Sequence, residues 1–355
     1  MSSVAQPSSP RAVRIWLYLV WAMILAMVLV GGITRLTGSG LSMVEWHPLM
    51  GAVPPMNEAE WNEVFDQYKQ SPQYLKVNHW MDLPAFKKIF FWEYIHRLIG
   101  RLIGLVVFVP CLYFWARKQM TRRLLRQTFI AIVLGGLQGL LGWFMVKSGL
   151  VDDPAVSHFR LAAHLLLAFF VGQWILWMLL DLRHADVPRA PISAALRRGI
   201  YAFLALLVVQ IAYGAFVAGL RAGHMAMTFP HMNGFYAPSH FFTGDGLLDN
   251  FLHQPLAIHY VHRVLALIVL LAGIWLFRAI AKHAATIGDA PALASLLKSN
   301  RWMLVLLLLQ VGLGIWTVLS FISIHVAVSH QGCAYILMGT VFAMLHRTKV
   351  GTATN

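Results

Sequence analysis

The sequence predicts an all-α membrane protein: eight transmembrane helices forming two four-helix bundles that repeat one another in the same orientation. Three observations carry this prediction. Of 355 residues, 59% are hydrophobic and only 12% charged, about half the charge of an ordinary soluble domain. Apolar runs long enough to span a hydrocarbon layer about 30 Å thick recur eight times. Finally, His96 and His164 stand 68 positions apart, as do His262 and His330, and the second pair repeats the first at an offset of 166.

The first span (15–34) is preceded by Arg11 and Arg14. In the long loop 35–88 that follows, the amphipathic stretch Glu58–Tyr68 predicts a short helix capping the first bundle. The second span (89–114) is followed by Arg117, Lys118, Arg122, Arg123 and Arg126. The third (127–146) is apolar but rich in glycine. The fourth (159–180) leads into Arg183, Arg189, Arg197 and Arg198, and the fifth (200–219) into a second long loop, 220–254. Arg278, Lys282, Lys298 and Arg301 separate the sixth span (255–277) from the seventh (302–320). The eighth (323–345) is diluted by two histidines and closed by Arg347 and Lys349.

Seventeen of the 28 basic residues therefore fall in short loops or tails on one side, while the charges of the two long loops nearly cancel. Basic loops stay inside, so both termini are expected to be cytoplasmic and the long loops periplasmic. A net charge of +14 distributed in this way speaks for lipid and against a nucleic-acid partner. Both cysteines, Cys111 and Cys333, lie within spans. Neither a disulfide frame nor a covalent haem-attachment motif is present, so any haem is held non-covalently. Fourteen residues before the first span are too few for a mitochondrial transit peptide, which points to a bacterial inner membrane.

The duplication divides the chain into halves, 1–187 and 188–355. Each half has an even number of helices, so the two share one orientation. Leu137-Gln138 through Gly142 answers Leu309-Gln310 through Gly314, and Gly32-Ile33-Thr34-Arg35 is matched with Ala218-Gly219-Leu220-Arg221. Each paired histidine falls five to eight residues into its span, about 10 Å below the outer end at 1.5 Å per residue. Ionisable groups inside a bilayer are costly and usually functional. Imidazoles paired between facing helices suit the axial positions of two haem irons. Polar interhelical hydrogen bonding is the blander alternative; equal spacing and depth favour ligation.

Glu93 lies one turn before His96 and shares its face. It either pairs with Arg97, Arg101 or Arg160, or accepts protons beside a reacting centre. Arg35, Arg97, Arg160, Arg221 and Arg263 lie near outer helix ends, where haem propionates need counter-charge and guanidinium groups provide it. Others of this set are interfacial anchors, and the sequence does not separate the two uses. At the 166-residue offset Glu93 meets His259, Arg160 meets Val326 and Arg101 meets Leu267. The first half is therefore expected to be catalytic and the second to hold an auxiliary haem. His47, His79, His158, His224, His231, His240 and His253 are expected to be solvated or structural, and His184, His283 and His346 to be idle at the inner face.

Over nearly its whole length the chain resembles haem A synthases of the group shared by alphaproteobacterial and mitochondrial enzymes. The resemblance rests on Gly31-Gly32-Ile33-Thr34-Arg35-Leu36-Thr37 through Gly40-Leu41-Ser42-Met43-Val44-Glu45-Trp46-His47, and on Glu93-Tyr94-Ile95-His96-Arg97 with Gly100-Arg101. Arg160-Leu161-Ala162-Ala163-His164-Leu165, Phe229-Pro230, His262-Arg263 and His330-Gln331 add to it. It implies a role in cytochrome c oxidase assembly: oxidation of one methyl group of haem O to a formyl group by successive hydroxylations, giving haem A. It also implies a haem b held by His262 and His330, a substrate haem held by His96 and His164, and catalytic assistance from Glu93. Haem O delivered by a haem O synthase and an unidentified electron acceptor are the implied partners, and a homo-oligomer is compatible. The first loop lacks the cysteine pair some members carry, which excludes a cysteine-based mechanism, and loop 224–254 matches the family poorly. The alternative is a dihaem b-type electron carrier of the quinol-oxidoreductase kind. Such carriers stack haems near opposite faces, whereas all four histidines here share one depth. A transporter with a histidine proton relay is a third reading, but it requires no paired ligands.

Overall fold

A computed structural model of the protein describes residues 11–45, 53–151, 154–236, 242–287 and 291–350; Trp46, His47 and His240 lie outside the described residues. The chain forms α1 (Arg11–Leu36), the short α2 (Glu58–Lys69), α3 (Leu83–Ala116), α4 (Arg122–Lys147), α5 (His158–Arg183), strand β1 (Ala190–Ile192), α6 (Ala194–Gly219), the six-residue α7 (Leu247–Leu252), α8 (Pro255–Ile287), α9 (Pro291–Leu319), α10 (Ile324–Arg347) and strand β2 (Thr348–Val350). Eight of these helices are long and apolar enough to cross a membrane. The chain is a multi-pass, all-α membrane protein, as its composition predicts.

Side-chain caps fix several helix starts. Asp82 accepts from the Ala85 amide at 2.9 Å, Thr121 from Leu124 at 3.2 Å and Ser193 from Leu196 at 3.1 Å, each satisfying one otherwise orphaned donor. Helices overrun the predicted spans. α3 begins at Leu83, and α8 and α9 extend through the segment read as a basic loop, so Arg278, Lys282, Lys298 and Arg301 are helical. Hydropathy registers only the apolar layer. Backbone hydrogen bonding continues beyond it wherever good helix formers such as Ala, Leu and Lys follow.

In the first half α1 packs on α3 and α4 on α5; in the second α6 packs on α8 and α9 on α10. α1, α5, α6 and α10 meet where the halves join. Leu17, Val20 and Ile24 are buried with Phe169, Ile175 and Met178, and Ile200, Phe203 and Leu207 with Leu276, Leu307 and Val341. The predicted capping helix is present: Phe65 and Tyr68 of α2 stack on Phe86 at the start of α3, with ring centroids 5.0 Å apart in each case.

The end opposite the long loops carries a polar knot. Asp181 accepts from Arg123 at 2.8 Å and Gln127 at 3.0 Å, and pairs with His346 Nε2 at 3.0 Å. His346, expected to be idle, is buried and joins α4, α5 and α10, because a carboxylate in an apolar setting must gather donors. His158 is structural, one of the two roles expected of it: it is buried, with Nε2 2.8 Å from the Leu252 carbonyl. Beside the knot, β1 and β2 pair in parallel, Ala190 opposite Thr348. The buried Arg347 donates to the Val187 and Pro188 carbonyls.

Candidate functional site

All eight long helices line one cavity of about 2660 Å³ towards the long-loop end. An ordinary small-molecule pocket holds about 300–1,000 Å³, so there is room here for more than one large ligand. His96, His164, His262 and His330 all reach it.

Each histidine is faced by a glycine of the preceding long helix. A Cβ on Gly31 would lie 3.2 Å from His96, one on Gly142 2.9 Å from His164, one on Gly214 3.2 Å from His262, and one on Gly314 3.0 Å from His330. Those helices end at Leu36, Lys147, Gly219 and Leu319, so every glycine sits five residues before its helix ends. The four rings therefore share one level, about 7–8 Å from those ends at 1.5 Å per residue. Helix starts are the poorer reference, because α3 begins early and His96 lies thirteen residues into it. The same contacts correct the repeat alignment: Gly31 matches Gly214, so Arg35 matches Ala218 and the predicted pairing of Gly32–Arg35 with Ala218–Arg221 shifts by three residues. The members of each pair, His96 with His164 and His262 with His330, lie within electrostatic reach of each other.

Three of the rings carry a glutamine. The Gln138 amide donates to the His164 carbonyl at 3.0 Å and lies 3.1 Å from its Nδ1. Gln210 does the same for His262, at 3.1 and 3.2 Å. Gln310 stands 3.4 Å from His330 Nε2, while His330 Nδ1 reaches the Gln310 carbonyl at 3.1 Å. In all three glutamines Oε1 is buried and unpartnered among the described residues.

Glu93 is 3% exposed, and its carboxylate is fully engaged. Oε2 accepts from Ser42 Oγ at 2.7 Å and the Met43 amide at 2.9 Å, and Oε1 from Arg97 at 2.7 Å. Arg97 also donates to the Met43 and Glu45 carbonyls. The pair thus clamps the first long loop onto α3, with the acid one turn from His96. His259 and Arg263 repeat the device. Arg263 Nε donates to His259 Nε2 at 3.2 Å, and its terminal nitrogens donate to the Ala226 and Thr228 carbonyls of the second loop.

The remaining arginines divide. Arg35 crosses to the other half and donates to the Ala218 and Gly219 carbonyls, leaving its buried Nε without a partner among the described residues. Arg221 lies exposed at the cavity rim, within electrostatic reach of Arg35, and its side chain has no hydrogen-bond partner among the described residues. Arg160 departs from the expectation for a cavity cation. It donates to the Phe144 carbonyl at 2.8 Å and stacks on the Phe144 ring at 3.7 Å, off the cavity wall.

Residues 14–342 match the family model described as "Cytochrome oxidase assembly protein". The chain is 42% identical over 337 residues to the haem A synthase of Parvibaculum lavamentivorans, covering 95% of this chain and 94% of that one. It belongs to the haem A synthase family. Similarity to the enzymes of Rhodospirillum centenum (42% identity; 96% of this chain, 89% of the other) and Nitrosospira multiformis (41%; 96% and 94%) extends over the same length.

Membership of a haem-handling family agrees with the donor set. Among the described residues no group of three or more His, Cys, Asp or Glu side chains is placed to hold a bare metal ion. Two facing imidazoles suffice for an iron whose macrocycle brings its other four donors. The glycines leave space beside each ring that a Cβ would fill, and acceptors for an imidazole Nδ1–H stand at three of the rings: the orphaned side-chain oxygens of Gln138 and Gln210, on amides that already lie beside Nδ1, and the Gln310 backbone carbonyl at His330.

Reading the sequence by histidine spacing alone misses the glutamine partners. Their signal is Gln-x-x-x-Gly, present at 138–142, 210–214 and 310–314.

Proposed function

We propose that the chain oxidises one methyl group of haem O to a formyl group by successive hydroxylations, with His96 and His164 holding the substrate haem and His262 and His330 holding an auxiliary haem b. The observation that carries this reading is a chemical difference between the two histidine pairs: a buried, three-donor carboxylate, Glu93, beside the first, and His259 beside the second. A site that only retains haem needs ligands and apolar walls, whereas one that oxidises a methyl group must also take up protons. When bound, haem b supplies a one-electron redox centre. The protein supplies orientation and electrostatics: the imidazoles position the substrate, Ser42, Met43 and Arg97 hold the Glu93 carboxylate in place beside His96 as the proton acceptor, and the Glu93–Arg97 clamp fixes the first long loop over the site. Arg35 and Arg221, whose donors are not fully used, are the best-placed counter-charges for propionates.

Haem O is handed over by a haem O synthase, water supplies the oxygen of each hydroxylation, and an electron acceptor takes up the electrons while the protons pass to solvent. Extraction and chromatography of haems from cells with and without the chain test the activity. Haem A is expected only with it, and haem A formed equally without it overturns the reading.

We place the chain in the bacterial inner membrane, with both termini cytoplasmic and the histidines near the periplasmic face, a reading that the basic short loops support. Cysteine labelling tests this cleanly, since Cys111 and Cys333 are both buried. In intact spheroplasts Glu63→Cys on α2 should react with an impermeant maleimide and Arg117→Cys should not; the opposite pattern inverts the topology.

A further inference from the structure

The two halves differ at one histidine and along one helix seam, and both differences fall on the first pair. Gln138, Gln210 and Gln310 each precede a histidine-facing glycine by four residues; before Gly31 that place is taken by Met27. Its methyl reaches α3 beside Gly100, 3.3 Å from where a Cβ would stand. Among the described residues nothing hydrogen-bonds to the His96 ring. The ring is also turned differently. It points Nε2 at Gly31, 3.2 Å from the Cβ position, whereas the other three present Cε1 to their glycines, with both nitrogens 3.5 Å or more away.

The second difference lies between α3 and α4. Gly104, Gly135, Gly136 and Gly139 border the cavity there, and a Cβ on any of them would meet nothing within 4 Å. The offsets that superpose the histidines of α3 and α8 (166) and the facing glycines of α4 and α9 (172) put Leu270, Leu307, Leu308 and Val311 at the same places in the second half. Leu307 is 1% exposed and packed against Gly273. At these places one seam is lined by leucine and valine and its counterpart by glycine alone.

We propose that the first pocket exchanges its haem sideways with the lipid layer through the α3–α4 seam, and that His96 is the ligand that lets go. This rests on the reading of His96 and His164 as the substrate site. An imidazole without a partner on its second nitrogen is fixed neither in tautomer nor in orientation, so it can turn away while His164, held by Gln138, stays. Substrate must enter and product must leave, and an apolar macrocycle needs no aqueous route to do either. A resident cofactor needs the reverse: two held imidazoles and a seam lined by larger side chains, as at His262 and His330.

The test uses the full-length protein in detergent, loaded with haem b at both sites and mixed with excess apomyoglobin, with haem transfer followed by absorbance. Two phases are expected, and His164→Ala should remove the fast one. Met27→Gln, which supplies the missing amide, should slow the fast phase about tenfold or more, the usual weight of such a partner. It should also shift the spectrum of that haem alone. Gly135→Leu with Gly139→Val, which gives the seam the residues of its counterpart at positions where a Cβ meets nothing within 4 Å, should slow it as well, and Gln210→Met should accelerate the slow phase. An unchanged slow-phase haem spectrum shows that each first-half variant has folded. Equal release from both sites, or a fast phase indifferent to both Met27→Gln and the seam variant, overturns the exchange proposal and leaves the ligand sets standing. A protein that binds only one haem, or a second haem untouched by His164→Ala, overturns the ligand sets themselves.

Discussion

Glu93→Ala is expected to lower conversion of haem O by about 10²–10⁴-fold, the range for loss of a proton-transfer group, while haem b remains bound in the second half. Alanine alone leaves an ambiguity. It strands the Ser42 hydroxyl and the Met43 amide, at about 1–3 kcal/mol per buried unsatisfied group, and leaves Arg97 only its bonds to the Met43 and Glu45 carbonyls, so the loop clamp loosens as the carboxylate goes. Glu93→Gln separates the two effects. Its amide oxygen still accepts from Ser42 and Met43, but it takes up no proton. A comparable loss in both variants, read by haem chromatography with the haem b spectrum intact, assigns the effect to the carboxylate. On the proposed division of roles His259→Ala should cost far less, because that ring, which takes a hydrogen bond from Arg263 Nε, stands beside the pair proposed only to retain haem. An active Glu93→Ala protein beside an inactive His259→Ala protein with haem b retained would exchange the roles of the halves.

Replacing either His262 or His330 with alanine should abolish the low-spin, six-coordinate spectrum of haem b. Loss of a mere hydrogen-bond partner to a metal-bound histidine costs about 10–100-fold in affinity, and loss of the ligand itself costs more. Gln210→Leu should therefore weaken retention of haem b without changing its coordination. The spectrum of purified His262→Ala and His330→Ala proteins decides the matter. Two variants with an unaltered low-spin signature would remove the ligands from the second half.

Eight spans, the four histidines and the α2 cap were legible in the sequence because each depends on a local signal: an apolar run, a repeated spacing, an amphipathic period. Helix ends beyond the apolar layer were not, as at α8 and α9, where hydropathy falls but helix propensity does not. The uses of the arginines were hidden for a different reason. Arg97 and Arg263 spend their donors on loop carbonyls, and Arg160 on the Phe144 carbonyl and ring. A guanidinium at a helix end looks the same in sequence whether it awaits an anion or holds a loop. His346 and Asp181 lie 165 positions apart, too far for any window of sequence to join. The Gln-x-x-x-Gly recurrence was readable, yet its meaning needed the facing histidine to be seen.

The parallel pairing of β1 with β2 imposes an order in time. The backbone of Ala190–Ile192 finds its strand partner in Thr348–Val350, 158 positions later, and the carbonyls of Val187 and Pro188 wait on Arg347. During synthesis, when segments fold as they emerge, that hinge stays unlatched until α10 has been made and inserted. The first four long helices can gather into a bundle early. Fastening the two bundles together is the closing act of biogenesis, and the shared cavity takes its final form only then.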